Sequence, residues 1–255
     1  MAIFDELSPA QRLKMASTKA GRISSYLHDV VDLHESNEII QYSPTLRDQI
    51  PRSYAANAYN VFQDAMQRYE IVRICAFWDF PSLDNYSLLT VDALLDHSEI
   101  PDLVSARAKS DWLQIDIELV GQDKLAPADK QAADEALAIM RERDATTEAN
   151  NARSVLQEAL AELREIAKSE TLRSVKNARN KYLAHTLEST REERRSVVAP
   201  MNHGDEGALL DRTLRIAGKL QLAIAGGNVE WEDVRRIARR EAQALWGSCR
   251  FAITD

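Results

Sequence analysis

Between Pro127 and Pro200 the chain contains neither glycine nor proline. These are the two residues that most readily end a helix, so so long a stretch without them predicts one or two very long helices. Within it Leu156, Leu160, Leu163 and Ala167 step by four, three and four, an apolar stripe that needs a partner helix to cover it. The pattern falters at "KSETLRS", where Thr171 is placed to cap a new helix carrying Val175, Ala178 and Tyr182 on one face. Glycine (8) and proline (7) are scarce across all 255 residues, while Ala, Leu, Glu and Arg are plentiful. The expectation therefore extends to the whole chain: an all-α helical bundle, long enough to bury a full core and read as one domain over 1–255.

The remaining helices follow from their start and stop signals. Ser8 before Pro9 offers a capping hydroxyl and a proline at the first helical position, for a helix running into "YLHDVVDLH". Pro44 and Pro51 bracket a connection. From Ser53 to Trp78 the spacing of Tyr59, Phe62, Met66, Tyr69 and Arg73 predicts a central packed helix. "DFPSLDNYS" interrupts it, Ser87 caps "LLTVDALLDH", and Pro101 opens a short helix through "LVSARAKSDW". "DWLQIDIELV" alternates in part, as a strand would, but reads better as helix or irregular chain. After a polar connection, "ESTREERRSVVAPMNHGDEG", come "ALLDRTLRIAGKLQLAIA" and a final helix beyond Gly226 and Gly227. Asn228 is its expected cap, with Glu230, Glu232 and Asp233 complementing the helix dipole. No internal repeat occurs.

Several function classes lack their usual signals. HExxH, a Glu-x-x-His pair, clustered Cys and His, a P-loop and GxGxxG are all missing, so no metal and no cofactor is expected. Two cysteines are too few for a disulfide framework, and Cys75 in "IVRICAFW" reads as a small buried hydrophobe, which suits a reducing cytoplasm. No run approaches the roughly 18 apolar residues of a membrane span, and "MAIFDELSPAQRLK" has no signal-peptide pattern, so a cytoplasmic, non-membrane protein is expected. The net charge of -8 argues against a polyanionic partner, but its distribution is uneven. Residues 171–255 hold 15 Lys+Arg against 11 Asp+Glu, a net of +4, leaving 17 against 29, or -12, in residues 1–170. A basic strip within the carboxy-terminal part, including Arg173, Lys176 and Lys181, is either a solvated helix face or a phosphate-binding surface.

That strip contains "RNKYLAH", which sets Arg179 six positions before His185. Spacing alone proves little, because an arginine-rich chain with five histidines is expected to contain about one such pair by chance. "RISSYLH" indeed repeats it with Arg22 and His28. Context separates the two: Arg179 precedes the polar Asn180 in a basic helix, whereas Arg22 precedes Ile23 near the amino terminus.

"NARNKYLAHTLE" resembles the Arg-polar-x-x-x-x-His motif of HEPN domains, and specifically their AbiU2 branch, linked to abortive infection in bacteria. "FWDFPSLDNYSLLTVDALL", about a hundred residues upstream, resembles the same branch. The resemblance is clearest over 50–225, leaving 1–50 as an N-terminal helical extension. It implies a HEPN-like helical bundle, a homodimer formed through the motif helix, and a metal-independent endoribonuclease acting as a toxin or antiphage effector, with a possible antitoxin. Some HEPN toxins carry a modified tyrosine two residues after the histidine; here that residue is Leu187, and Tyr182 is expected to pack.

The residue types suit that chemistry. RNA carries its own nucleophile, the 2′-OH, so a catalyst needs a proton-transfer group and positive charge on the phosphate. His185 supplies the first, Arg179 the second, and Asn180 can hydrogen-bond either the histidine or a phosphate oxygen. Arg173, Lys176 and Lys181 are the candidate RNA contacts. A non-catalytic HEPN-like module binding RNA or protein is the competing reading. On a regular helix six residues place two side chains roughly 120° apart around the axis and about 9 Å apart along it. The helix must therefore bend or end near His185, or a two-fold partner must complete the site.

Overall fold

Ser8 accepts a hydrogen bond from the Gln11 backbone N–H while the Gln11 side chain accepts one from the Ser8 N–H, so a full capping box precedes Pro9. From this start the computed structural model, which describes residues 2–50, 52–115, 127–184 and 186–253, runs a single helix to Tyr42. That helix, α2 (Pro9–Tyr42), follows a short α1 (Ala2–Asp5). Leu13, Ala16, Ala20, Ile23, Leu27 and Val30 are buried along it at steps of three and four, the stripe that a straight helix presents to a core. It packs most extensively against α4 (Tyr54–Ala76), α5 (Leu88–Leu95), α9 (Asp205–Ala225) and α10 (Trp231–Trp246). The remaining elements are α3 (Pro44–Gln49), α6 (Ile100–Leu113), α7 (Pro127–Ile166) and α8 (Glu170–Ala178), the last running into a π turn over Arg179–Leu183. Among the described residues there is no strand. The all-α expectation holds, and the possible strand over "DWLQIDIELV" resolves as helix to Leu113, with residues 116–126 outside the described residues.

The glycine-free stretch forms two helices. In α7, Leu156, Ala159, Leu163 and Ile166 are buried, and they pack with α5, α6 and α9. The stripe is thus rotated by one position from Leu160 and Ala167, which lie at its partly buried edge. Ser169, not Thr171, caps α8: its hydroxyl accepts from the Leu172 N–H at 3.2 Å, so the helix begins at Glu170. Asn228 likewise does not cap α10, because its amide is bonded to the Glu230 carboxylate and the helix begins at Trp231. Gly226 ends α9 at φ 69°, a left-handed conformation that a Cβ disfavours.

The central helix α4 departs most from expectation. Its buried residues are Glu70, Ile71, Ile74 and Cys75, whereas Phe62 and Tyr69 face outward. Burial is concentrated in the last two turns, where α2 and α9 close over them. Glu70 is drawn inside by polar partners: His34 Nδ1 lies 2.7 Å from one carboxylate oxygen, and the Asn37 amide donates to the other at 2.6 Å. Burial disfavours a charged imidazole, but the bond and charge of Glu70 outweigh it, and the His34 pKa is raised. The pair's stabilisation is therefore complete below the ordinary imidazole value near 6.5 and declines as pH rises through the higher folded value. His34→Ala is expected to cost about 3 kcal/mol in chemical denaturation near pH 6, because it strands a buried carboxylate. An unchanged midpoint would show that Asn37 alone suffices.

Candidate functional site

Helix α8 turns Leu172, Ser174, Val175 and Asn177 toward the core and leaves its last turn at the surface. After Ala178 the hydrogen bonding changes from the α to the π pattern, and the Ala184 N–H reaches back five residues to the Arg179 carbonyl at 2.8 Å. A π turn holds one extra residue, which shifts the register of everything beyond it. Leu183 consequently packs against the core, and Tyr182, expected to pack with Val175 and Ala178, is 65% exposed. The helix ends here, so the 120° separation computed for a straight helix does not apply. His185 itself lies outside the described residues.

Arg179 is held from two sides. Its Nη1 donates to Asp79 Oδ1 at 2.8 Å and its Nε to Asn180 Oδ1 at 3.1 Å. A guanidinium has five N–H donors, so two bonds fix its plane without exhausting its capacity. The side chain is 18% exposed and that of Asp79 39%, which leaves the pair at a surface rather than inside. A cleft of about 430 Å³, lined by Tyr26, Arg73, Phe77, Asp79, Asn85 and Tyr86 among others, opens beside it.

Asp79 is placed by the loop between α4 and α5. The Leu88 N–H donates to the Phe77 carbonyl at 2.7 Å, and Lys19 of α2 donates to the carbonyls of Leu83 and Asn85 at 2.7 and 2.9 Å. The indole of Trp78 is fully buried, donating to Thr213 Oγ1 of α9 at 3.0 Å. Trp78 inward thus fixes Asp79 and Phe80 outward. Lys176 joins this loop to α8: Nζ donates to the Trp78 carbonyl at 2.9 Å and sits 5.3 Å from the Phe80 ring centroid. Burial lowers the Lys176 pKa, with Asp79 opposing and Arg179 adding to the shift. Beneath them burial pushes the Cys75 thiol up to about 12, so this cysteine is a core residue and no nucleophile.

Arg173 and Lys181 are differently placed. Arg173 pairs with Glu170 and Glu192, and Lys181 with Glu193 at 2.9 Å. The polar connection after the motif is folded back by a capping box: the Glu193 N–H donates to Thr190 Oγ1, and the Thr190 N–H to Glu193 Oε2. Glu193 Oε1 also accepts from Asn177 at 3.0 Å. Bonds from Asn177, Thr190 and Lys181 hold the Glu193 carboxyl at about 2, against its ordinary 4.5. A depressed carboxylate pKa stabilises above the ordinary value and fails as pH falls through the folded one. Amide exchange in residues 188–196 is therefore expected to stay protected at pH 4.5 and to rise toward pH 2, and Glu193→Gln to expose the segment at neutral pH. Equal protection in the variant would contradict this anchor.

The histidine of the second Arg–His pair has a structural use. His28 bonds the Ser24 carbonyl at 2.8 Å through Nδ1, and its ring lies 5.1 Å from that of Trp231. Among the described residues no group of three or more His, Cys, Asp and Glu is placed to hold a metal ion, and no helix is long and apolar enough to cross a membrane.

The model of the HEPN AbiU2 family matches residues 19–245. The chain belongs to that family. The match begins inside α2 and ends inside α10, wider at both ends than the 50–225 over which the resemblance is clearest by eye. No curated protein and no solved structure matches. Sequence reasoning gave Asp79 no role, although the aromatic "FWDFP" around it carried part of the family resemblance. An acidic residue between aromatics in a short inter-helix loop was the available signal.

Proposed function

We propose that this HEPN protein is an endoribonuclease of a toxin or antiphage system, cleaving RNA without a metal at the Arg179 surface. The observation that carries the reading is the Arg179 guanidinium, fixed by Asp79 and Asn180, with Asp79 lining an open cleft, in an AbiU2-family chain. In the proposed reaction a ribose 2′-oxygen attacks the adjacent phosphorus and the P–O5′ bond breaks. The 2′-OH proton is removed, a proton is delivered to the 5′ oxygen, and the products are a 2′,3′-cyclic phosphate and a 5′-hydroxyl. Arg179 stabilises the negative charge that builds on the phosphoryl oxygens, and His185 transfers protons. Asn180 acts here as an orienter of Arg179, and Lys176 adds positive charge beside it. Arg173 and Lys181 contribute to RNA binding only after exchanging their glutamate partners for phosphate.

The reading includes a homodimer through the motif segment. Because Val175 is spent in its own core, the surface available for that contact centres on exposed Tyr182. The test is incubation of purified protein with total RNA in EDTA beside Arg179→Ala and His185→Ala controls. Cleavage by the unsubstituted protein alone, leaving cyclic phosphate termini, is expected. RNA binding without cleavage by a dimer would favour the non-catalytic module instead.

A further inference from the structure

Phe80 is 81% exposed, an unusual position for an aromatic ring in so rigid a loop. Its backbone is fixed on both sides. Trp78, two residues earlier, is anchored in the core, Pro81 follows, and the Asn85 amide donates to the Phe80 carbonyl at 3.0 Å. The ring is thus held out without packing a core. Its charged surroundings are equally specific: Lys176 Nζ lies 5.3 Å from its centroid, and its neighbour Asp79 is bound to Arg179 at 2.8 Å.

We propose that Phe80 is a stacking platform for an unpaired RNA base next to the phosphate held at Arg179. This rests on the function proposed above and adds a residue that grips the substrate: an unpaired base lies on Phe80 and its backbone runs along Lys176 and Arg179. An exposed aromatic beside cations is how proteins commonly grip unpaired nucleotides, because every base offers a π face and every linkage a negative charge. A duplex, whose bases are stacked internally, cannot use such a platform. The selection is for unpaired structure and not for sequence.

The test measures binding of a single-stranded RNA oligonucleotide with a 2′-O-methyl ribose at every position, so that cleavage cannot intervene. Phe80→Ala is expected to weaken binding roughly fivefold to a hundredfold, Phe80→Trp to restore it, and a duplex of the same sequence to bind equally to all three. A 2-aminopurine base in the strand should be quenched by the unsubstituted protein and by Phe80→Trp, but not by Phe80→Ala. Unchanged affinity and quenching in Phe80→Ala, alongside RNA cleavage that still needs Arg179, would overturn the platform and leave the ribonuclease standing. If the unsubstituted protein neither binds nor cleaves RNA, both fall. If Phe80→Ala instead alters the oligomeric state with RNA affinity intact, the ring is a contact between copies and the platform is refuted.

Discussion

Arg179→Ala is expected to reduce RNA cleavage by about 10² to 10³-fold, the usual loss when one preorganised donor to a developing oxyanion is removed. The guanidinium is planar and oriented by Asp79 and Asn180 at 2.8 and 3.1 Å, so Arg179→Lys should recover little of it: a lysine keeps the charge but cannot make the same two bonds and still present donors in a fixed plane. Asp79→Asn retains a hydrogen-bond acceptor and removes the counter-charge, so a loss smaller than that of Arg179→Ala is expected. His185→Ala should abolish cleavage, while His28→Ala should stay within a few-fold of the unsubstituted protein, since His28 is occupied by Ser24 and Trp231. Initial rates on one fluorescent RNA measure all of these. Equal losses at His28 and His185 would undo the choice of site. Mixing Arg179→Ala with His185→Ala chains tests the two-fold assembly as well: recovered cleavage requires a site shared between copies.

Trp78→Ala is expected to destabilise the fold by about 3–5 kcal/mol, the range for removing a large buried aromatic. The side chain is fully buried in the hydrophobic core beside α9, and the change also removes the bond to Thr213. For a domain whose total stability is on the order of 5–15 kcal/mol, that approaches unfolding. Trp78→Phe keeps most of the apolar volume and loses the indole N–H, so a cost nearer 1 kcal/mol is expected. The Phe variant also has a functional consequence: Trp78 anchors the loop that aims Asp79 at Arg179, so cleavage should fall although neither site residue is altered. Urea denaturation paired with cleavage rates separates the two effects. Full activity in a destabilised Trp78→Phe protein would show that the loop is held without its indole.

The sequence by itself determined the helices. Proline and glycine placement marked where α2, α7 and α9 begin or end, Ser8 and Ser87 were legible as caps, and the residues that carried the family resemblance were the motif and the "FWDFP" segment. These are local properties, fixed by backbone sterics and by hydrogen bonds spanning three or four residues. Where a second cap lay within reach, as Ser169 beside Thr171, spacing could not choose, because the choice depends on where packing stops the helix. Tertiary structure alone decided the rest. Periodicity assigned α4 the wrong face, since the Glu70–His34–Asn37 network brings a charged residue inside that hydrophobic spacing leaves out. No residue type announces the π turn, whose extra residue brings Leu183 onto the core face that a regular helix would give to Tyr182. The partnership of Asp79 with Arg179 joins positions a hundred residues apart, and the packing of Trp78 against α9, with the Lys176 bond to its carbonyl, brings them within 2.8 Å.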